Sequence, residues 1–305
     1  MGYSYTMNVG RKILFTCITT IIFLFVLEGF LFVLPQIIGI RQGSSYDHIV
    51  NGSTEIIVVG DSVAFGYGLE PGESWPSVLF EQLKEQKIQV SVRNRAVSGN
   101  GTMEMERERH TIEKVSKLNK RPLVLVMMGH NDFIGHGWRS WSSQSNGTST
   151  PSIETNPPRI YRIVRWMNKL LRSQNDGVVD WQNSEIENRV QKNIQKLSTY
   201  TEKMGGKMFL MTYLVPGNAT TKLSPSNQES LEKARNYQIQ GNKVLRKIAA
   251  QASIGLIDIE ETVEVPQEWD STWWIDHIHP RQVGHVKIAT STRKHLAAFG
   301  EIPLR

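Results

Sequence analysis

From residue 55 to the end of the chain, short apolar runs alternate with stretches of helical periodicity, and this alternation restricts the fold more than any other feature. The apolar runs fall at 55–60, 88–93, 123–128, 207–213 and 255–259. The helical patterns fall at 74–86, 103–118, 184–204, 227–252 and 281–299. Strands separated by helices pair in parallel and are covered on both faces. The expectation is an α/β domain: a three-layer, doubly wound sheet of about five mostly parallel strands. In open sheets of this kind, functional groups gather beyond the carboxyl ends of the strands. Ser62 follows the first run, Gly99 the second and Asn131 the third, so all three are expected on one sheet edge.

A chain of 305 residues accommodates one sizeable domain and an appendage. With 21% charged and 39% hydrophobic residues, its composition is globular rather than disordered. The single cysteine, Cys17, excludes an intrachain disulfide framework and a cysteine-based zinc cluster. There is no phosphate-loop lysine signature, heptad pattern or internal repeat, and Gly66, Gly68 and Gly72 are spaced too loosely for a dinucleotide fingerprint. His130 and His136 flank one loop and read as ordinary loop histidines rather than a metal pair. No cofactor and no metal is implied.

Residues 13–40 are apolar apart from Thr16, Thr19, Thr20, Glu28 and Gln36, and Arg11 and Lys12 precede them. Roughly 20 helical residues cross a hydrocarbon core. No small-residue cleavage pattern follows, so residues 1–40 read as an uncleaved signal anchor rather than a removed signal peptide. Arg11 and Lys12 against Arg41 alone favour a cytoplasmic amino terminus, with the globular part on the extracytoplasmic side of the cytoplasmic membrane. Glu28, costly inside the apolar run, reads as interfacial or as a contact with another membrane protein. Residues 41–54, rich in Gly, Ser and Asn, read as a tether to a domain over 55–305. Sequons occur at Asn51, Asn100, Asn146 and Asn218, but a glycan on Asn100 would crowd the site argued below, which favours a bacterial envelope over a eukaryotic secretory route.

One insertion, at about 133–183, interrupts the alternation. After Asn156-Pro157-Pro158, a plausible helix start, Arg159, Arg162, Arg165, Lys169 and Arg172 share one helical face opposite Ile160, Ile163, Val164, Met167 and Leu170. Residues 133–175 carry six basic residues against Glu154, a net of +5 out of +6 for the whole chain. The basicity thus belongs to one element: a solvated amphipathic face, a contact for anionic lipid, or a wall for an acidic polymer. Nucleic acid is not an expected partner.

Four short blocks carry the chemistry: Gly60-Asp61-Ser62; Asn94 and Gly99 in Asn94-Arg95-Ala96-Val97-Ser98-Gly99; Gly129-His130-Asn131-Asp132; and Asp276 with His279-Pro280. A serine hydroxyl is a poor nucleophile until a base takes its proton, and a carboxylate stabilises the imidazolium that forms. In kind and order the blocks resemble those of the SGNH, or GDSL, hydrolase superfamily, and the stretch from Gly60 to Trp75, with Gly66, Gly68 and Glu73, resembles bacterial members with an amino-terminal membrane helix. The resemblance implies the flavodoxin-like SGNH fold. It makes Ser62 the nucleophile, His279 the base with His277 as competitor, and Asp276 the orienting acid. It places the N–H groups of Ser62 and Gly99 and the side-chain amide of Asn131 in the oxyanion hole. A side chain at position 99 would be expected to block close approach of the backbone to substrate.

Asp61 and Asp132 are expected to bond turn amides behind the site, and His285 to pack or cap. The reading is a serine esterase or O-acyltransferase acting on a short acyl group, such as acetyl, of a cell-envelope glycan or lipid. A phospholipase or lysophospholipase, and a non-catalytic assembly or glycan-binding protein on the same scaffold, are the alternatives. Trp138, Trp141, Trp269, Trp273 and Trp274 lean toward sugar stacking, with core packing as the competing role for Trp273 and Trp274.

Overall fold

A computed structural model describes residues 19, 20, 23, 26, 47–133, 184–221 and 223–303. Most of the expected membrane anchor, most of the insertion at 133–183 and its basic residues Arg159, Arg162, Arg165, Lys169 and Arg172 lie outside the described residues, as do His136, Trp138 and Trp141. Among the described residues no helix is long and apolar enough to cross a membrane.

Six strands form one sheet: β1 (Asp47–His48), β2 (Thr54–Gly60), β3 (Val90–Asn94), β4 (Arg121–Met127), β5 (Lys207–Met211) and β6 (Gly255–Ile257), in the order β1-β3-β2-β4-β5-β6. The five strands from β2 onward pair in parallel. Their order is that of the flavodoxin-like doubly wound sheet. β1 is a strand the sequence analysis does not anticipate. It lies in the stretch read as a tether and pairs antiparallel with β3. Its anchor is electrostatic, because Arg93 pairs with both Asp47 and the buried Glu55.

The chain returns leftward only between β2 and β3, so right-handed crossovers put the helix of that connection on the opposite face from those of the later connections. The first layer holds α2 (Trp75–Glu85), which packs on α8 (Gln282–Ala298); Gln82 donates to Thr290 Oγ1 at 2.9 Å between them. The second holds α3 (Glu108–Lys117), α5 (Ser184–Lys203) and α6 (Pro225–Gln251). The short helices α1 (Ser62–Phe65), α4 (His130–Phe133) and α7 (Ile259–Thr262) each follow a strand end. Covered on both sides, the central strands are buried beyond their first residues: Ile56, Ile57 and Val58 in β2, and Leu123, Val124, Leu125 and Val126 in β4.

Where elements end differently from the expectation, side chains intervene. The pattern at 103–118 splits into a 3₁₀ segment, Thr102–Arg107, and α3. Asp132 holds Thr102 by its N–H at 2.8 Å and its hydroxyl at 3.0 Å, while Glu104 accepts from the Gly101 N–H. β5 stops at Met211 because the Tyr213 N–H leaves the ladder to donate to Asn242 Oδ1 at 2.8 Å. β6 stops at Ile257 because Asp258 caps α7 and binds Arg246 through two contacts at 2.7 and 2.8 Å.

Gly241, inside α6, lets that helix approach the ring of His130; a Cβ there would lie 2.2 Å from His130 Nε2. A mid-helix Gly→Ala exchange ordinarily stabilises by about 1 kcal/mol. Overpacking a core costs about 1–3 kcal/mol. The clash decides the sign, so Gly241→Ala is expected to destabilise the protein in urea unfolding; a higher midpoint at unchanged slope would contradict this packing.

Candidate active site

The turn after β2 is built by close approach. A Cβ on Gly60 would lie 2.4 Å from Ala64 Cβ and 3.1 Å from the Met127 carbonyl, so a side chain there would push α1 off the sheet. Asp61 caps α1, its Oδ1 accepting from the Val63 N–H at 3.0 Å. Ser62 is therefore the first helical residue, just after the carboxyl end of a strand buried from Glu55 to Gly60.

The Asp276-x-x-His279 spacing also has a local cause. Asp276 Oδ1 accepts from the N–H groups of Ile278 and His279, each at 2.8 Å, folding the intervening residues into a turn. Asp276 Oδ2 remains for His279 Nδ1, at 2.7 Å. The other ring nitrogen, Nε2, lies 2.8 Å from Ser62 Oγ. The tautomer with its proton on Nδ1 satisfies both contacts, leaving Nε2 to accept from the serine hydroxyl. Burial would raise the Asp276 carboxyl, but the hydrogen bond and charge of His279 and the two backbone donors outweigh it and hold the group at about 2. It is a carboxylate at any working pH, able to stabilise an imidazolium.

The loop carrying this pair is clamped at its ends. The Ile275 N–H donates to the His279 carbonyl at 2.8 Å, and the Arg281 N–H to the Trp273 carbonyl at 2.7 Å. Arg281 Nε donates to the Ser271 carbonyl at 2.7 Å. Behind it lies His285, 1% exposed, whose Nδ1 accepts from the Trp75 N–H at 3.0 Å and whose ring also bonds the backbone of Pro280. Burial, then the neighbouring His279, drives its pKa down to about 3, so the neutral ring caps α2 while bracing the residue next to His279.

The other candidates converge through backbone links. Asn94 joins the first two blocks: its Nδ2 donates to the Ala64 carbonyl and its Oδ1 accepts from the Ala96 N–H, both at 3.0 Å. The Val97 N–H donates to the Gly60 carbonyl at 3.0 Å. Asn131 Nδ2 donates to the carbonyl of Asn100, the residue after Gly99, at 2.9 Å, which leaves a second amide proton. Among the described residues no acceptor takes the N–H of Ser62 or of Gly99. Gly99 has φ +80°, and a Cβ there would meet nothing within 4 Å. The glycine is required by its left-handed backbone; the protein itself leaves the space beside it open.

The supporting carboxyls are buried. Asp61 Oδ2 accepts from the Tyr213 hydroxyl at 2.5 Å. Burial raises Asp61 to about 6 despite the Tyr213 and Val63 donors, and Asp132 to about 6 despite those from Thr102. His130, 3% exposed and stacked on Tyr213 at 3.8 Å, is pushed by burial down to about 3. It is a packed histidine in the core.

Three neighbours were not anticipated in these roles, whereas His285 packs and caps as expected. Tyr67, 47% exposed, sets its ring 4.6 Å from that of His279. It stands between Gly66 and Gly68, at φ +85° and +76°, and this Gly-Tyr-Gly spacing was the signal for a turn presenting an aromatic ring. Tyr213 left no local signal, since it acts on Asp61 across 152 residues of sequence, and Arg281 reaches back ten residues to Ser271 with no motif to mark the contact. Trp269 donates its indole N–H to the Asp276 carbonyl at 3.4 Å and sets its ring against His277, which therefore lies beside the loop while His279 meets Ser62. Trp274, 1% exposed, belongs to the core and is not available for sugar stacking.

A strand-end serine joined to histidine and aspartate on a flavodoxin-like sheet defines a class of serine hydrolase. The model of the GDSL-like lipase/acylhydrolase family matches residues 58–287, and the chain belongs to that family, within the SGNH hydrolases, which act on carboxylic esters. Solved structures similar to it include TesA (17% identity, TM-score 0.49, covering 80% of this chain and 99% of that one). Others are the esterase EstA from Pseudoalteromonas sp. (14%, 0.47, 81% and 99%) and the acetylxylan esterase Axe2 from Geobacillus stearothermophilus (15%, 0.47, 81% and 95%). No curated protein sequence matches.

Asn131→Ala is expected to lower kcat on an aryl ester by about 10²–10³, the usual cost of one oxyanion donor, with a smaller change in KM. Unchanged kcat in a variant that keeps its far-UV circular dichroism would remove Asn131 from the site.

Proposed function

We propose that the protein removes or transfers a short acyl group, acetyl in the simplest case, on a cell-envelope glycan or lipid, through an acyl-Ser62 intermediate. The observation that carries this reading is the continuous path Ser62 Oγ, His279 Nε2, His279 Nδ1, Asp276 Oδ2, with contacts of 2.8 and 2.7 Å. Ser62 Oγ attacks the ester carbonyl as His279 takes its proton, and Asp276 steadies the imidazolium. The oxyanion accepts from the N–H groups of Ser62 and Gly99 and the free amide proton of Asn131. His279 returns the proton to the departing alkoxide, leaving the acyl group on Ser62. Water or a substrate hydroxyl, deprotonated by His279, then attacks the acyl-serine, and Ser62 leaves with the proton restored.

The preference for a short acyl group rests on Tyr67, whose exposed ring stands 4.6 Å from that of His279, the residue bonded to Ser62. Exposed Tyr67 and half-buried Trp269 and Trp273 beside the Asp276–His279 loop suit a sugar-bearing substrate. A membrane location is part of the same proposal: residues 13–40 anchor the chain in the cytoplasmic membrane with the domain on the extracytoplasmic side, and Glu28 contacts a membrane partner. The apolar composition of the segment supports it, as does the 63% and 65% exposure of helical Phe23 and Val26. The basic residues from Arg159 to Arg172 then meet anionic lipid or an acidic polymer.

A series of aryl esters from acetyl to long-chain acyl tests the acyl preference. The expected result is highest kcat/KM for acetyl, falling by more than about tenfold at eight carbons. A maximum at long chains would replace this reading with the lysophospholipase one.

A further inference from the structure

A cavity of about 460 Å³ opens beyond the carboxyl end of β5, and Ser62, Asp276 and His279 do not line it. The loop after β5, including Leu214 and Asn218, forms one wall; Arg235 and Ile239, one turn apart on α6, form another; Glu260 and Gln267 contribute from the segment after β6. This volume is in the range of small-molecule sites, which are mostly apolar with a few placed polar groups.

Its charges are unequal in a way that points to a ligand. Glu260 is already answered: its Oε2 accepts from Arg246 at 2.8 Å and from Asn242 at 3.0 Å. Arg235 is not. Its Nε is buried without a hydrogen-bond partner among the described residues, and no carboxylate pairs with it there. A guanidinium N–H withdrawn from water with no acceptor is costly, and native structures hold few such groups. An acceptor from outside the chain removes that cost, and a carboxylate matches the guanidinium fork in charge and geometry.

The cavity is coupled to the catalytic loop through its own wall. The Asn218 N–H donates to the Gln267 carbonyl at 2.8 Å, the Trp269 N–H to the Asn218 carbonyl at 2.9 Å, and the Trp269 indole to the Asp276 carbonyl. On the other side, Leu214 lies against Gly284, which in turn lies against Pro280 next to His279. We infer that this cavity is a remote substrate subsite, in which Arg235 receives the carboxylate of an acidic sugar while an ester elsewhere on the same glycan is presented to Ser62. The inference rests on the proposed esterase reading and adds the substrate's charge to it. Arg235 binds substrate; it takes no part in bond making.

The test uses methyl β-D-glucuronide and methyl β-D-glucoside, which share a ring and differ in the carboxylate, titrated into Ser62→Ala protein. The glucuronide is expected to bind at least about tenfold more tightly, as a charge-assisted hydrogen bond would give, with the advantage shrinking as salt rises. Arg235→Gln should bring the two affinities together and Arg235→Lys should restore part of the difference, with unfolding midpoints showing that both variants fold. In the active enzyme, Arg235→Gln should raise KM for acetylated glucuronate oligosaccharides, with little change in kcat, relative to acetylated neutral ones. Equal affinities in the parent, or a glucuronide preference that survives Arg235→Gln, would overturn the subsite. Loss of that reading would leave aryl acetate turnover intact; absence of aryl acetate turnover would instead remove the esterase reading on which it rests.

Discussion

β2 hydrogen-bonds along its length to β3 on one side and to β4 on the other, in parallel register on both, with Val58 opposite Asn94 and Gly60 opposite Met127. Those two pairings decide which residues meet. Parallel strands in register finish together, so the turns after β2, β3 and β4 leave the sheet on one edge and bring with them Ser62, Gly99 and Asn131. Residues 55–60 of β2 are buried, and a slip in its pairing would misplace all three turns at once. The last block arrives differently. Asp276 and His279 sit on a loop clamped at its ends, braced by the buried ring of His285 and packed through Gly284 onto Leu214.

Behind the site, burial shifts titratable groups away from their charged forms. Asp61 and Asp132 are both raised to about 6, and His130 and His285 are both lowered to about 3. Asp276 is the contrast: with three donors it is held at about 2. At Asp276 the cost of desolvation is outweighed by hydrogen bonds and an adjacent imidazole that favour the ion. The arrangement therefore keeps a fixed negative charge on the far side of the His279 ring from Ser62, while the two aspartates under the turns serve chiefly as hydrogen-bond acceptors for backbone and hydroxyl donors.

The strands and their parallel pairing were legible because they are written in continuous apolar runs separated by amphipathic stretches. The five main strands lie within the segments expected or one or two residues from them. Their ends were less legible, since they are set by side chains from elsewhere: Asn242 removes Tyr213 from β5, and Asp132 tightens the turn at Thr102. β1 was hidden because a two-residue strand has no periodicity and depends on Arg93 finding Asp47. In the site, the Asp276–His279 spacing was readable as chemistry because it is also a local turn. Tyr213 and Arg235 were not, because their contacts or lack of them arise only when distant segments pack. Gly99 was expected for close approach of substrate, and its positive φ supplies the reason within the chain itself.

The central claim is that Ser62 is a nucleophile activated through His279. Its most direct test is the rate and site of covalent labelling by a fluorophosphonate, read by intact mass and peptide mapping in the parent protein, Ser62→Ala and His279→Ala. The account predicts one adduct, on the peptide containing Ser62, absent in Ser62→Ala and formed far more slowly in His279→Ala. An adduct on another residue, no adduct in the parent, or an undiminished rate in His279→Ala would contradict it.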